Sequence, residues 1–504
     1  MFFTDNVWGP NIKLDWTSSW FLFNLLVKAL SFIFSIAFLE KIFITGVLVL
    51  ILLGGRFFVK TISENISTGL VFVLSLFALF NPFVYDRALY GQFGVLISYG
   101  CAFFILAYLY KAWQALDFKN LYPAAIFTAI ALMFSIHFIF LLLPFYILFF
   151  VAVFKNKKLY LSLAVSIAII LVLNLNWLVA LTLQASPMTN FVEQGISQQD
   201  LVAFQTAGKD GPETLSNVLL MSGFWGKDQL RYNDLTKVPG WQKSFIFLSP
   251  LIIYGLYLSF RKNKVLSLSL LSIFVLAVFL AIGIKSNLTQ GLTWFLYNHL
   301  PLYKGLREPQ KWVAIIVPIY LYFLMLGASR FGQVKVIKNN RIVSGFILAG
   351  IIMMGAPFLL WGFNRQAVAT PYPSDWAQVN NLLLNNSAQS YGCSDKILFL
   401  PWHMYLSFNW VGKIIANPAS AYFTCPIISG TNMEWGGIYD NSLSSDGKII
   451  SDWLSSQGKS NTLHVRYIIL AKEVDFSSYL WLNNLSYVKP LLETNTLIVY
   501  EIKP

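Results

Sequence analysis

Residues 81 to 94 read NPFVYDRALYGQFG. The stretch joins two apolar runs, 68 to 83 and 93 to 111, and sets Asp86, Arg87 and Gln92 among Tyr85, Tyr90 and Phe93. Both runs read as spans of a hydrocarbon core about 30 Å thick, so the polar knot is expected at a membrane boundary. Asn81-Pro82 ends the first run, because proline lacks the N–H donor and restricts the residue before it. Gly91 and Gly94 beside Gln92 signal close backbone approach to something polar. An aromatic belt with a local Asp86–Arg87 pair explains the same residues without any activity.

The pattern recurs outward from this stretch. Further apolar spans lie near 42 to 59, 159 to 183, 244 to 260, 265 to 284, 312 to 329 and 342 to 362. The block 121 to 154 is too long for one crossing and is interrupted by Ser135, His137 and Pro144, which predicts two short helices meeting near His137. Of the 504 residues 57% are hydrophobic and only 12% charged, which excludes an ordinary soluble domain. The fold class expected is a mainly α, polytopic membrane helix bundle of about 10–11 hydrophobic helices. A net charge of +13 would suit nucleic acid, but much of it sits in short Lys/Arg clusters between spans, so no nucleic-acid partner is expected.

Those clusters orient the chain. Lys155/Lys157/Lys158, Arg261/Lys262/Lys264 and Arg330/Lys335/Lys338/Arg341 fill short loops, and the positive-inside tendency puts them in the cytoplasm. Alternation then places outside the loops 82 to 92, 185 to 243 and 285 to 311, together with residues 1 to 40 and the tail from 366. Trp16, Trp20 and Lys28 suit a helix lying in the interface. On this count an earlier helix is expected ahead of Met1; the alternative is an ordinary first span with a cytoplasmic N-terminus.

The chain changes character after the membrane domain, expected over 1 to 365. DWAQVNNLLLNNS has helical spacing, whereas KILFLPW, VRYIILA and TLIVYEI are short runs of strand-forming residues. Residues 366 to 504 therefore predict a small extracytoplasmic α/β domain. Its Cys393 and Cys425 form either a disulfide or two free thiols.

Four groups carry candidate chemistry. Asp5, in FFTDNVWGP, is a general base or acceptor ligand, or else a turn or capping aspartate. Asp86, Arg87 and Gln92 form the second group. The third is LPLYKGLREPQKW, whose Lys304, Arg307, Glu308 and Lys311 collect positive charge on the outer side, suited to phosphate or to anionic lipid headgroups. In the tail, Trp402, His403 and Trp435 offer flat faces and polar edges for a sugar, although such residues also build cores. His137, His299, His403 and His464 are scattered without metal-ligand spacing. No phosphate-loop, nucleophile-elbow or dinucleotide fingerprint occurs.

Taken in order, the early aspartate, NPFVYDRALYGQ after a span, LYKGLREPQKW before a late span and a C-terminal outer domain resemble the GT-C class of membrane glycosyltransferases. The group around the mycobacterial arabinofuranosyltransferases and the proteins that glycosylate lipoteichoic acid is the nearest in pattern. The resemblance covers roughly residues 1 to 365. It implies a polyprenyl-phosphate sugar donor, a cell-surface glycan or glycolipid acceptor, and transfer on the extracytoplasmic side of the cell membrane. It also implies an acidic residue in the first outer loop as base or acceptor ligand, matched by Asp5, with Asp86 as a second carboxylate. Arg307 and Lys311, joined by Arg87, would then hold the phosphate. No cofactor is required; a divalent metal is compatible with the class but is not indicated by these residues. The competing reading is a non-catalytic scaffold or lipid-linked glycan transporter that keeps the fold.

Overall fold

The computed structural model describes residues 2–3, 12, 14–63, 66–183, 198–229, 232–331, 340–386, 396–430, 432–435, 438–440, 445–459 and 463–503. Its first part is helical. Helix α1 (Phe21–Leu30) is followed by α2 (Ile36–Ile62), α3 (Thr68–Leu79), α4 (Pro82–Leu89), α5 (Phe93–Ala115), α6 (Leu121–Phe134), α7 (Phe138–Val153), α8 (Lys158–Leu173) and α9 (Leu175–Thr182). Then come α10 (Gln198–Ala203), α11 (Gly211–Leu219), α12 (Ser249–Lys262), α13 (Lys264–Ile282), α14 (Asn287–His299), α15 (Val313–Phe331) and α16 (Asn340–Met354).

Among the described residues, Ile36–Ile62, Phe93–Ala115, Trp241–Lys262, Lys264–Lys285 and Pro309–Phe331 are long and apolar enough to cross a membrane. Two further apolar pairs are bent at a break, each a broken span or a re-entrant loop: α3 with α4 at 46°, and α8 with α9 at 78°. Leu161, Val172, Ile253 and Val265 stand exposed on the helices' outer faces, where only hydrocarbon would accommodate so much bare apolar surface. The chain is a multi-pass membrane protein.

Capping residues decide where these helices begin. Ser35, Ser67 and Asn263 accept from the backbone N–H of Phe38, Leu70 and Leu266 and so start α2, α3 and α13. α6 and α7 meet at Ser135–His137, as the interrupted block predicts. α5 and α15 run through the middle of the bundle, buried on nearly every side. Glycine permits the closest crossings. A Cβ on Gly255 of α12 would lie 1.8 Å from the Phe323 carbonyl oxygen of α15, and one on Gly327 would lie 2.0 Å from the Leu251 oxygen.

The structure corrects the reading of 82 to 92 as an exposed loop at the headgroups. Asn81 accepts from Val84 N–H at 3.2 Å and Pro82 supplies the first-turn φ, so Pro82–Leu89 forms a helix. Asp86 and Arg87 do not face headgroups: they are 5% and 1% exposed.

The C-terminal part is a layered α/β unit. Besides two antiparallel pairs, β4 (Tyr405–Phe408) with β5 (Lys413–Ala416) and β7 (Met433–Trp435) with β8 (Ile438–Asp440), its five-stranded sheet runs β10 (Val488–Glu493), β11 (Leu497–Ile502), β9 (Tyr467–Ala471), β3 (Ile397–Leu400) and β6 (Ile427–Ile428). β3 lies parallel to β6 and β9, and β11 antiparallel to β9 and β10. Strand alternation splits the side chains between two cores. Ile397 and Phe399 pack with Trp376 and Leu383 of α17 (Ser374–Asn386), while Leu398 and Leu400 pack with Ile450 and Trp453 of α18 (Ser445–Ser455). Cys425 is disulfide-bonded and Cys101 is a buried free thiol; Cys393 lies outside the described residues. At the seam with the bundle, β1 (Phe2–Phe3) pairs in parallel with β2 (Ala369–Thr370).

Candidate functional site

Segments far apart in sequence converge at one end of the bundle. They are the turn before α1, the α4–α5 junction, the α6–α7 junction, α9, and the loop from 298 to 311, and they enclose a cavity of about 800 Å³. Gln92, Lys304, Arg307, Glu308 and Lys311 all line it, together with Ser135 and His137. The bend between α3 and α4 turns Arg87 inward, directly behind this wall.

Glu308 organises the charges. Arg87 Nη1 donates to Glu308 Oε2 and to Gln92 Oε1. Gln92 Nε2 donates to both Glu308 oxygens at 3.1 and 3.3 Å, and Lys311 Nζ lies 3.6 Å from Glu308 Oε1. Burial alone would push the Glu308 carboxyl up, yet Lys311 and Arg87 beside it hold it below the usual carboxylate range. It is therefore a carboxylate at neutral pH. Arg87 is further held between rings, its guanidinium carbon 4.6 Å from the Phe224 centroid and 5.5 Å from that of Phe83.

Arg307 donates to Asp200 Oδ1 of α10 at 2.7 Å and covers the Phe204 ring at 4.4 Å. Lys304 has no ion-pair partner among the described residues. Among the described residues, four cations against two carboxylates leave a surplus of two positive charges around the cavity. Several buried polar atoms also keep unused hydrogen-bonding capacity: Arg87 Nη2, Ser135 Oγ and His137 Nδ1. Burial, reinforced by the Lys311 charge, holds the His137 imidazole well below its ordinary range, so it stays neutral. A concave, positively charged chamber with spare donors is suited to an anionic ligand that carries hydroxyls.

Asp86 stands apart from this chamber. It accepts from Tyr232 Oη at 3.1 Å, so it is not the partner of Arg87, a role that falls to Glu308. Tyr85 and Tyr90 likewise serve the interior instead of an aromatic belt. Tyr85 donates to Asn233 O at 2.7 Å, and Tyr90 donates to Gly226 O at 3.3 Å while packing edge-on against Phe224 and Trp225. Both fasten residues 224–229 and 232–234 over α4.

Of the residues expected to bind sugar in the tail, Trp402 is 5% exposed and belongs to the C-terminal unit's own core, which leaves no open face for stacking. His403 Nε2 lies 3.2 Å from Asp475 Oδ1 in the same unit. Trp435 ends β7 (Met433–Trp435), and its side chain, like Asp5, lies outside the described residues. The described residues hold no group of three His, Cys, Asp or Glu side chains placed for a metal ion. Sequence reasoning missed Asp200 and Phe204, which sit in the unremarkable run QQDLVAFQ. Only their convergence on Arg307 marks them.

No family model matches the chain, and no curated protein matches it. Among solved structures it is similar to ArnT from Cupriavidus metallidurans in the apo state, with 10% sequence identity and a TM-score of 0.51 over 95% of this chain and 86% of that one. At this identity the likeness concerns architecture: the chain has the GT-C-like membrane fold, a helix bundle carrying a small C-terminal sheet unit.

Proposed function

We propose that the chain is an integral membrane glycosyltransferase that moves a sugar from a polyprenyl-phosphate donor to a cell-surface glycan or glycolipid on the extracytoplasmic side. The observation that carries this reading is the excess of cations over carboxylates among the described residues around the chamber, Arg87, Lys304, Arg307 and Lys311 against Asp200 and Glu308, at one end of a bundle with the architecture of ArnT.

The chemistry matches the charge. As the acceptor hydroxyl oxygen bonds to the anomeric carbon, the bond from that carbon to the phosphate oxygen breaks, and its electron pair leaves with the polyprenyl phosphate. The phosphate passes from one negative charge toward two, and cations already in place favour that change. The acceptor's proton goes to a carboxylate, the role proposed for Asp5. Glu308 serves differently: committed to Arg87, Gln92 and Lys311, it fixes the cationic wall in position.

Transfer of labelled sugar from a polyprenyl-phosphate donor in proteoliposomes tests the proposal. Arg307→Ala and Lys311→Met should each lower the rate by about 100-fold, the order expected for one lost donor to developing charge, and Asp5→Asn should abolish transfer. Unchanged rates in all three folded variants would overturn the site. Donor binding without any transfer would point to the scaffold or transporter reading instead.

A further inference from the structure

The bundle holds a second cavity at its other end. It measures about 410 Å³ and is walled by α2, α5, α7, α13 and α15. Phe58, Trp113, Phe149, Leu266, Leu270 and Pro318 give it an apolar interior. The nearest residues that line the two cavities along α5, Val95 and Leu106, are 11 positions apart, about 16 Å at the usual helical rise, and Lys311 and Pro318 on the α15 side are seven apart. From Asn263 at its mouth to Leu270 at its floor the groove runs about 10 Å along α13. At that floor Pro318 of α15 and Pro144 of α7, next to the lining Phe145, each remove a backbone donor where the walls part.

The mouth has the opposite character. Asn263 lies between Lys262 and Lys264, and Arg261 precedes them; on the facing wall, Ala152 of α7 leads within one turn to Lys155. These four basic side chains are exposed, and the stretches 152–158 and 259–266 contain no Asp or Glu. An apolar slot that opens beside four exposed cations, with Asp117 one turn beyond the lining Trp113 on α5, complements in a membrane-spanning bundle a molecule with an acyl chain and a negative headgroup. We infer that this groove binds one anionic phospholipid from the leaflet on the Lys/Arg-rich side, its chain in the slot and its phosphate among Arg261, Lys262, Lys264 and Lys155. The site is separate from the charged chamber and does not depend on what that chamber transfers. An unfilled apolar slot would forfeit dispersion contacts along its walls, which an acyl chain restores.

The test uses the full chain in nanodiscs of phosphatidylglycerol and phosphatidylcholine, released for native mass spectrometry. The wild type should retain one phosphatidylglycerol in preference to phosphatidylcholine. Leu266→Trp, which fills the slot, should lose the retained lipid while eluting as a single species. Arg261→Gln with Lys262→Gln and Lys264→Gln changes only exposed side chains; it should keep a lipid but lose headgroup preference, by about fivefold per residue. Three results would overturn the inference: no retained lipid, no preference in the wild type, or retention unchanged in folded Leu266→Trp. Displacement by polyprenyl phosphate in excess phosphatidylglycerol would also overturn it, by making the groove part of a donor channel.

Discussion

At the scale of single residues, Glu308 is the most exposed to test. Its carboxylate neutralises two buried cations, so Glu308→Gln leaves Arg87 and Lys311 facing each other across a neutral amide. Removing one partner of a buried pair costs about 3–5 kcal/mol, and a clear drop in thermal unfolding midpoint is expected in detergent. Asp200→Asn should cost less, because its partner Arg307 is partly exposed to the cavity. His137 sets a pH dependence. Its folded-state pKa lies below the ordinary 6.5, so the unfolded chain takes up a proton more readily. Stability should therefore be intact above about pH 6.5 and decline as the pH falls below it. Melting curves between about pH 7.5 and about pH 5.5 should show the decline, and His137→Gln should flatten it. Apart from Asp200, the charged members of the site were legible because charge is rare in so apolar a chain. Their pairing was not: Asp86 adjoins Arg87 in sequence, whereas Glu308 lies 221 residues away.

At the scale of elements, helix positions follow the apolar runs closely, since hydrocarbon thickness and backbone satisfaction leave few alternatives. Bends were harder to read. The 78° break between α8 and α9 occurs at Asn174, whose Nδ2 donates to the Ala129 and Ile170 carbonyls and whose Oδ1 accepts from Trp177 Nε1. Two asparagines, Asn174 and Asn176, inside a long apolar run do not announce that arrangement. Packing against glycine gives a paired prediction. Gly255→Val should prevent stable assembly, because α15 backbone occupies the space its side chain needs. Gly46→Ala on α2 has nothing within 4 Å of the new methyl and should stabilise by up to about 1 kcal/mol. Size-exclusion profiles and thermal unfolding of the two variants would separate a tight crossing from general intolerance of glycine replacement.

At the scale of the whole molecule, Gln366 joins three parts. It donates to Tyr85 Oη of α4 at 2.8 Å, accepts from Asn233 N at 2.5 Å, and its carbonyl accepts from Lys413 Nζ of the C-terminal unit at 3.2 Å. Gln366→Ala should raise hydrogen exchange around 232–235 and in α4 without lowering the core protection of β3 and β9. The proposed orientation has its own check: Ser407→Cys should react with an impermeant maleimide on intact cells, and Asn156→Cys only after permeabilisation. The Arg87–Glu308 pair also bears on how the protein is made. Arg87 leaves the ribosome 221 residues ahead of the carboxylate that will neutralise it, a delay of roughly 10–40 s at ordinary synthesis rates. Through that interval the nascent membrane segment carries a guanidinium with only Gln92 and the adjacent Asp86 nearby in sequence, so α4 is expected to stay at the interface until the Glu308 segment arrives. On this expectation the bend at Asn81-Pro82 serves as an assembly joint as well as a fixture of the finished site, with the first helices inserting early and α4 folding inward later.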